Sequence, residues 1–371
     1  MPHIFELFGF RVEDRSEEAT AYRQAAVCPF MDADCDGGGN RYLSNIDLRE
    51  KPALREYFLG RGSVPSGICS LQLTEDGMPW IVCPRRLLVL GRASVGRRAY
   101  QYEIESMVLG LSGHPSGTRL GVWPEVKMRY AEMQGHIRKS FDYTFDYILF
   151  PVARLDQRVI EQRTGKTWRV IRPVVEAGGY EIASEGGCEF VGNFPDGAPL
   201  VVEIMTSSTS GGNKRKRSTI PTAFEDAITG HSHQAPGINY RQVWARMVSQ
   251  LIVKSEVAIG WGGRTIWVLQ DVLVDYISST TALDVHRLLS LATSEVNVLS
   301  FSYGDVCAEL IEGTVMELDG GKLYAGPITA VRAGATVPSF QDIVRTPVKP
   351  PLARLLALLA RRAPTNYVAV P

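Results

Sequence analysis

The sequence has no uninterrupted apolar run of about 18 residues, the length that a membrane-spanning helix requires. Met1–Phe10 lacks a basic segment followed by an apolar core, so no secretory signal peptide is expected. Net charge is also absent, because 40 Lys and Arg balance 40 Asp and Glu. A nucleic-acid surface would therefore have to come from local clusters of cations. These absences predict a protein of the cytoplasm with no membrane partner.

Disulfides are not expected among the six cysteines, because the cytosol keeps thiols reduced. Four of them, Cys28, Cys35, Cys69 and Cys83, lie in a turn-rich first segment with few apolar residues for a core of its own. Four thiolates suit tetrahedral zinc or iron, and a bound metal would stabilise such a segment. No Cys-x-x-Cys pair is present, and the alternative is that the four cysteines are small buried hydrophobic residues.

A buried strand is predicted over Leu200–Ile204, interrupted by the charged residue Glu203. A carboxylate in a buried strand is costly unless it is paired or binds a metal. A polar loop over 206–213 and the basic run Lys214–Arg217 follow directly. This order suits metal-assisted phosphodiester cleavage, with the carboxylate on the ion and the cations on the phosphates. The alternative is a solvated strand end followed by a basic loop.

Periodicity along the rest of the chain predicts helices and strands around a central sheet. Helices are predicted over Leu48–Leu59, Tyr100–Leu109, Glu125–Ile137, Tyr240–Val253, Val285–Ala292 and Leu352–Arg362. Strands are predicted over Phe141–Phe150, Trp168–Val175, Val257–Ile259, Thr265–Leu269, Leu310–Leu318 and Leu323–Ile328. Asp146 lies within the strand Phe141–Phe150.

Asp146, then Glu203 in Val-Val-Glu-Ile-Met, then a helix and a strand, together resemble the PD-(D/E)xK nuclease core. Phe5–Val12, Cys28-Pro29-Phe30, Cys69 and Cys83 narrow the resemblance to the NotI-like type II restriction endonucleases. That family carries a four-cysteine metal site ahead of the nuclease core. The resemblance covers most of residues 1–275.

The resemblance implies an α/β (α+β) fold with a mixed central sheet flanked by helices, as in restriction endonucleases. It divides the chain into a loop-rich four-cysteine, DNA-contacting domain over 1–100, a nuclease core over 101–280, and an extension over 281–371 for packing or dimerisation. Carried over to this sequence, the thiolates of Cys28, Cys35, Cys69 and Cys83 hold structural iron or zinc. Asp146 and Glu203 hold catalytic Mg²⁺, and an additional helical acid is Glu125 or Glu132.

The implied activity is that of a type II site-specific deoxyribonuclease that hydrolyses double-stranded DNA at a GC-rich palindrome. Such an enzyme acts as a homodimer and has a cognate DNA methyltransferase in the same host. The candidate DNA contacts are the polar and basic residues Asn213, Lys214, Arg215, Arg85 and Arg86. The alternatives are a non-catalytic zinc-type DNA-binding protein and a repair or transposon-associated nuclease.

One departure from the nuclease motif concerns its lysine. The motif places a lysine two residues after the glutamate, and here that position is Met205, which can neither carry a proton nor donate a hydrogen bond. Either the metal alone activates the water, or another residue such as Lys127 or Lys214 takes the place of the lysine.

Overall fold

The computed structural model describes residues 1–37, 45–91, 98–209, 212–213, 218–280, 295–303, 310–318 and 348–371. The predicted helix Val285–Ala292 and the predicted strand Leu323–Ile328 lie outside the described residues.

The first part of the chain consists of short strands and short helices. They are β1 (His3–Leu7), β2 (Phe10–Arg11), α1 (Glu17–Ala25), β3 (Val27–Cys28), β4 (Ala33–Asp34), β5 (Asn45–Asp47), α2 (Pro52–Tyr57), β6 (Ser63–Pro65), β7 (Ile68–Gln72), β8 (Trp80–Ile81) and α3 (Pro84–Leu87).

The remaining described elements are longer. They are α4 (Ala99–Gly110), β9 (Arg119–Gln134), β10 (Ile137–Asp156), α5 (Gln157–Thr164), α6 (Trp168–Ala177), β11 (Ile182–Glu185), β12 (Cys188–Pro195), β13 (Leu200–Met205), β14 (Gly212–Asn213), β15 (Ser218–Thr219), α7 (Ile220–Thr229), α8 (Tyr240–Gly260), β16 (Arg264–Gln270), α9 (Asp271–Thr280), β17 (Val296–Tyr303), β18 (Leu310–Leu318), α10 (Leu352–Leu359) and β19 (Asn366–Ala369).

A mixed sheet forms the centre of the described structure, in the order β11-β12-β10-β13-β16-β17-β18, with β9 paired to β10 and β19 to β9. β10 runs antiparallel to both β9 and β13, whereas β13, β16 and β17 are parallel to one another. The parallel part of this order is built by crossovers through α8 and the α9 region, as parallel strands require. The chain is therefore a mixed α/β protein, as the sequence predicted.

Alternate residues of β13 point to opposite faces of the sheet. Different helices cover these two faces. Val202 and Ile204 pack in one apolar cluster with Ile104 and Val108 of α4. Val201, on the other face, packs with residues of α8 and α10. Glu203 is two residues after Val201, so its side chain lies on the same face of the sheet and points toward α8.

Two long stretches adopt secondary structure other than that predicted. The expected helix Glu125–Ile137 is wrong, because its first ten residues belong to β9. Val126, Met128 and Tyr130 alternate with polar residues, and this period of two prevails once the partner strand β10 offers an apolar face.

The expected strand Trp168–Val175 is also wrong. It is helix α6, in which Ile171 and Val175, four residues apart, are buried. The expected strand Val257–Ile259 is instead the end of α8, which continues to Gly260. In both places a short run of β-branched residues favoured a strand, whereas burial follows the helical period.

Residues at the two ends of the chain pack on the sheet. In the first segment, Phe5 and Leu87 share an apolar cluster with Leu149 of β10. In the C-terminal segment, Leu355 and Leu359 of α10 pack with residues of β9 and β10, and β19 extends the sheet beside β9. The described end of the chain thus packs on the central sheet.

No helix within the described ranges combines the length and the apolarity needed to cross a membrane.

A buried ion pair connects β1 and α3 where the first segment meets the central sheet. Glu6 of β1 and Arg86 of α3 are 3% and 2% exposed, and the guanidinium donates to both carboxylate oxygens at 3.0–3.2 Å. Ser70 and Tyr303 donate to the same carboxylate at 2.7 and 3.0 Å. The carboxylate is thus well supplied with donors, and the opposite charge of the pair is essential to its burial.

We expect Arg86→Met to lower the free energy of unfolding by about 3–5 kcal/mol, because it leaves a buried carboxylate without its cation. Urea denaturation followed by circular dichroism measures the change. Arg154→Met is the matched control, since Arg154 pairs with Glu185 at the surface, and its denaturation midpoint should stay close to that of the wild type. Equal midpoints for the two variants would contradict the assignment.

Candidate functional site

A cleft of about 600 Å³ opens at the carboxyl end of β13. Its wall is formed by β10, by the end of β13 and the loop after it, by α8 and by the start of α3. The charged side chains that line it are Asp36, Arg85, Glu125, Asp142, Asp146, Arg246 and Lys254. This cleft contains the predicted Asp146 and Glu125 and lies against the predicted Glu203.

Asp146 and Glu203 lie opposite each other on neighbouring antiparallel strands. The ladder pairs Tyr147 with Val202, and the same register places Asp146 across from Glu203. Asp146 Oδ2 accepts a hydrogen bond from the backbone N–H of Ile204 at 2.8 Å. Two carboxylates far apart in sequence are therefore neighbours, and the inserted elements α5, α6, β11 and β12 account for the separation.

Lys254 of α8 is the residue that the sequence prediction missed. Its Nζ lies 2.5 Å from Glu203 Oε2, and both side chains are almost completely buried. The lysine therefore stands beside the glutamate although position 205 carries a thioether. The two residues suggested from sequence do not take this place: Lys127 is exposed on β9 away from the cleft, and Lys214 lies outside the described residues.

A weak sequence signal for Lys254 exists. Arg246, Gln250 and Lys254 follow one another at intervals of four, and all three line the cleft. This spacing places the three polar side chains on one side of α8, and that side faces the cleft.

Glu125 reaches the cleft from a strand rather than from a helix. The ladder pairs Phe145 with Val126 and Tyr147 with Pro124, so Glu125 stands across from Asp146. Its φ of +51° is in the left-handed region, which costs a non-glycine residue energy. Of the two candidates for a third acid, Glu125 lines the cleft, whereas Glu132 bonds to Tyr130 and Gln134 farther along the hairpin.

Strand alternation breaks at this same position. Phe145 and Ile148 pack in one apolar cluster, although strict alternation would place residues three apart on opposite faces. The break allows the strand to turn the carboxylates of Glu125 and Asp146 toward the cleft.

Burial raises the pKa of Glu203 well above its ordinary value, the Lys254 ammonium opposes that rise, and the nearby Asp146 charge adds to it. Glu203 Oε1 is buried and accepts no hydrogen bond from any residue that the structure describes. A buried carboxylate oxygen without a donor is costly, and a cation would satisfy it. Glu203 and Asp146 therefore present hard oxygen ligands of the kind that Mg²⁺ prefers.

The predicted DNA contacts have different surroundings. Arg85 lines the cleft and donates to Asp36 and Glu125 at 3.3 and 3.1 Å. Arg86 is enclosed in its ion pair with Glu6, so its guanidinium faces the interior and not a phosphate. Asn213 belongs to β14, with its side chain outside what the structure describes, and Lys214 and Arg215 lie outside the described residues.

The four predicted cysteines come together in one cluster, with Phe30 and Val89 around them. Cys28 lies on β3, Cys35 follows β4, Cys69 lies on β7 and Cys83 precedes α3. None of them forms a disulfide. The backbone N–H of Gly9 donates to Cys69 Sγ at 3.2 Å, a contact that favours the thiolate.

Gly9 explains how two loops meet beside this cluster. It has a φ of +80°, and a Cβ at this position would lie 2.2 Å from the ring of Pro29, the residue after Cys28. Only glycine permits this approach.

Three of the four thiols in the cluster disfavour negative charge. Burial raises the pKa of Cys28 and of Cys35 to about 12, and neighbouring thiols add to the rise. The hydrogen bond that the Cys69 thiol donates to Cys83, together with burial, raises the pKa of Cys69, and the same bond lowers the pKa of Cys83. A soft cation binds the thiolate form, so metal binding at this cluster requires that Cys28, Cys35 and Cys69 lose their protons in spite of burial.

No three His, Cys, Asp or Glu side chains in the described parts of the chain are already arranged as a metal-binding group. The thiols are neighbours in the packing, and the carboxylates face each other, without forming a closed coordination sphere.

No protein-family model matches the chain. No curated protein matches its sequence either.

We expect Cys69→Ser to reduce the bound zinc or iron and to lower the denaturation midpoint together, because one ligand of a structural metal supports both. Metal content is measured on protein purified without added metal. Cys188→Ser is the control, since Cys188 on β12 lies outside the cluster. Wild-type protein that contains neither metal would show that the four cysteines serve as apolar packing.

Proposed function

We propose that the chain is a metal-dependent endonuclease that hydrolyses phosphodiester bonds in double-stranded DNA. The observation that carries this proposal is the arrangement of Asp146 opposite Glu203, with Lys254 in contact with the glutamate, beside one open cleft. Two acids and one lysine at the end of a buried strand are the groups that this reaction requires.

The order of elements supports the same proposal. Helix α4 is followed by β9, β10 and β13, then by α8 and β16, with β10 antiparallel to β9 and β13 and with β13 parallel to β16. The two acids fall on the second and third of these four strands, as the resemblance to the PD-(D/E)xK core implies. The elements α5–β12 are an insertion between those two strands, and β14, β15 and α7 precede α8.

The donor set fits a hard divalent cation. Asp146 and Glu203 would hold Mg²⁺, and the unbonded Oε1 of Glu203 is the oxygen that gains most from it. When bound, such an ion lowers the pKa of a coordinated water and stabilises charge on the scissile phosphate. Glu125, across from Asp146, is a further carboxylate at the same end of the cleft.

The other residues of the cleft have roles that follow from their charge and position. Lys254 favours the ionised form of Glu203 and brings a positive charge to the end of the cleft. Arg246 lines the same wall two helical turns earlier, where its charge suits a phosphate oxygen. Arg85 holds the Glu125 carboxylate.

The position of Lys254 bears on the main alternative. A non-catalytic DNA-binding protein was suggested by Met205 in place of the motif lysine, and a lysine in contact with Glu203 removes that reason. Three further parts of the proposal rest on the resemblance alone. They are iron or zinc in the thiol cluster, a homodimer that acts on a GC-rich palindrome, and a cognate methyltransferase.

We expect Glu203→Gln to bind DNA nearly as the wild type does while Mg²⁺-dependent cleavage falls by about 10³-fold, because a neutral amide is a poor ligand for the cation. Supercoiled GC-rich plasmid incubated with Mg²⁺ measures cleavage, and sequencing of the fragment ends shows whether the cuts share one sequence. Glu256→Gln, which changes an acid paired with Lys349 at the surface of α8, should cut normally. Full activity in Glu203→Gln would exclude the proposal.

Cleavage is expected to rise with pH, because protons compete with the cation for Glu203 and the pKa of this carboxyl is raised. Lys254→Met removes the group that lowers this pKa, so the midpoint of the pH profile should move to higher pH, in addition to any loss of maximal rate. Lys349→Met, the matched change in the surface pair, should leave the midpoint in place. An unshifted midpoint in Lys254→Met would show that the lysine does not control the ionisation of Glu203.

A further inference from the structure

The outer halves of β9 and β10 form a two-stranded arm, residues 127–134 and 137–144. β10 pairs with β13 only over Tyr147–Leu149 and with β12 only from Val152, while β19 pairs with β9 only up to Val122. Within the described structure, the strands of the arm therefore pair only with each other. At about 3.3 Å per residue, the arm extends roughly 30 Å from Asp146 to its tip.

The two faces of the arm differ. Met128, Phe141 and Tyr143 pack toward α8 and α10. The opposite face carries Lys127, Arg129 and Arg138 and is exposed along its length. A single strand pair with one packed face is fixed in direction, and its other face is left to solvent.

The exposed face is continuous with the cleft. Asp142 and Thr144 belong to this face and line the cleft together with Asp146, which follows them on β10. A polymer held at Asp146 can therefore continue along the arm without leaving the surface.

The charge of the arm is positive in a chain with no net charge. Four cations, Lys127, Arg129, Arg138 and Lys139, stand against the two carboxylates Glu132 and Asp142 between residues 127 and 144. Asp142 is already paired with Arg129 at 3.2 Å, and Glu132 accepts from Tyr130 and Gln134. The positive charge of Arg138 and Lys139 lies near the tip, away from the catalytic acids.

The tip carries large apolar side chains in the open. Met133 and Ile137 are 63% and 60% exposed on the two sides of the Gly135-His136 turn. Exposed apolar side chains next to cations suit the edges of base pairs, where thymine methyl groups lie beside hydrogen-bond acceptors.

We propose that the exposed face of the arm binds duplex DNA next to the scissile phosphate and that the ribbon lies in the major groove. This inference rests on the proposed nuclease function. The major groove, about 12 Å wide, admits a two-stranded ribbon, whereas the minor groove, about 6 Å wide, does not. The length of the arm matches roughly one helical turn of about 34 Å, so cleavage and base contacts fall on one stretch of duplex.

The test replaces cations on the exposed face of the arm by glutamate and makes the same replacement, as a control, at another exposed surface. Lys127→Glu/Arg138→Glu changes the exposed face, and Lys166→Glu/Arg169→Glu makes the same change of charge at exposed positions around the start of α6. Binding of a labelled GC-rich duplex is measured by fluorescence anisotropy in Ca²⁺ over a range of salt concentrations. Cleavage of the same duplex is measured in Mg²⁺ at limiting and at saturating protein.

The arm variant is expected to bind about tenfold more weakly or worse, and the slope of log affinity against log salt should become shallower by about 0.9 for each phosphate that the protein no longer neutralises. Its cleavage rate at saturating protein should stay near that of the wild type, and the control variant should match the wild type throughout. Met133→Ser, which changes the apolar side chain across from Arg138 on the exposed face, is expected to reduce the preference for the cut sequence over a scrambled duplex.

Equal DNA affinity in the arm variant and in the control would overturn the inference while the wild type still cleaves. A change of oligomeric state in the arm variant, measured by light scattering at unchanged DNA affinity, would instead assign the arm to an interface between copies of this chain. A wild-type protein that neither binds nor cuts the duplex would remove both the inference and the proposed nuclease function.

Discussion

The site depends on one carboxylate that the fold keeps away from water. Glu203 occupies a core position of β13, between an antiparallel and a parallel neighbour, where an apolar side chain would cost far less free energy. Lys254 offsets part of that cost from α8, and one oxygen is left without a donor among the described residues. A cation bound at this carboxylate would replace both the missing donor and part of the hydration that burial removes.

The thiol cluster and the cleft belong to one continuous structure. Arg85 forms an ion pair with Asp36. Arg85 follows Cys83 by two residues and Asp36 follows Cys35 directly, so the thiol cluster positions both partners. The same guanidinium donates to Glu125, across from Asp146. Arg85 is one link between the cysteine-rich segment and the cleft, and the backbone N–H of Ser207, which lines the cleft, donates to the Ile81 carbonyl as another. Tyr303 of β17 donates to Glu6, the partner of Arg86, and so connects this segment to the sheet.

Local patterns in the sequence were sufficient for the acids but not for the lysine. An interrupted apolar run points to Glu203. A strand that changes from mixed to apolar carries both Asp142 and Asp146, and the resemblance to the nuclease core selects Asp146. Lys254 becomes a neighbour of Glu203 only when α8 crosses back over β13, and neither propensity nor spacing encodes that crossing. Glu125 was predicted to lie in a helix, because charged residues of high helix propensity outweighed the alternation of apolar and polar residues over ten positions. The four cysteines were grouped by their chemistry, and the packing brings them together.

The interruption of the β9–β10 ladder connects these observations. On the side of this interruption that lies within the central sheet, residues such as Leu149 and Phe150 are buried on both faces of the sheet. On the side toward the hairpin turn, only one face of the β9–β10 pair is covered. Glu125, with its left-handed φ, lies at the boundary between the part of the ladder with two covered faces and the part with one. The strain is located where the carboxylates must turn toward the cleft. The same irregularity thus positions Asp146 and marks the point from which the exposed face of the arm begins.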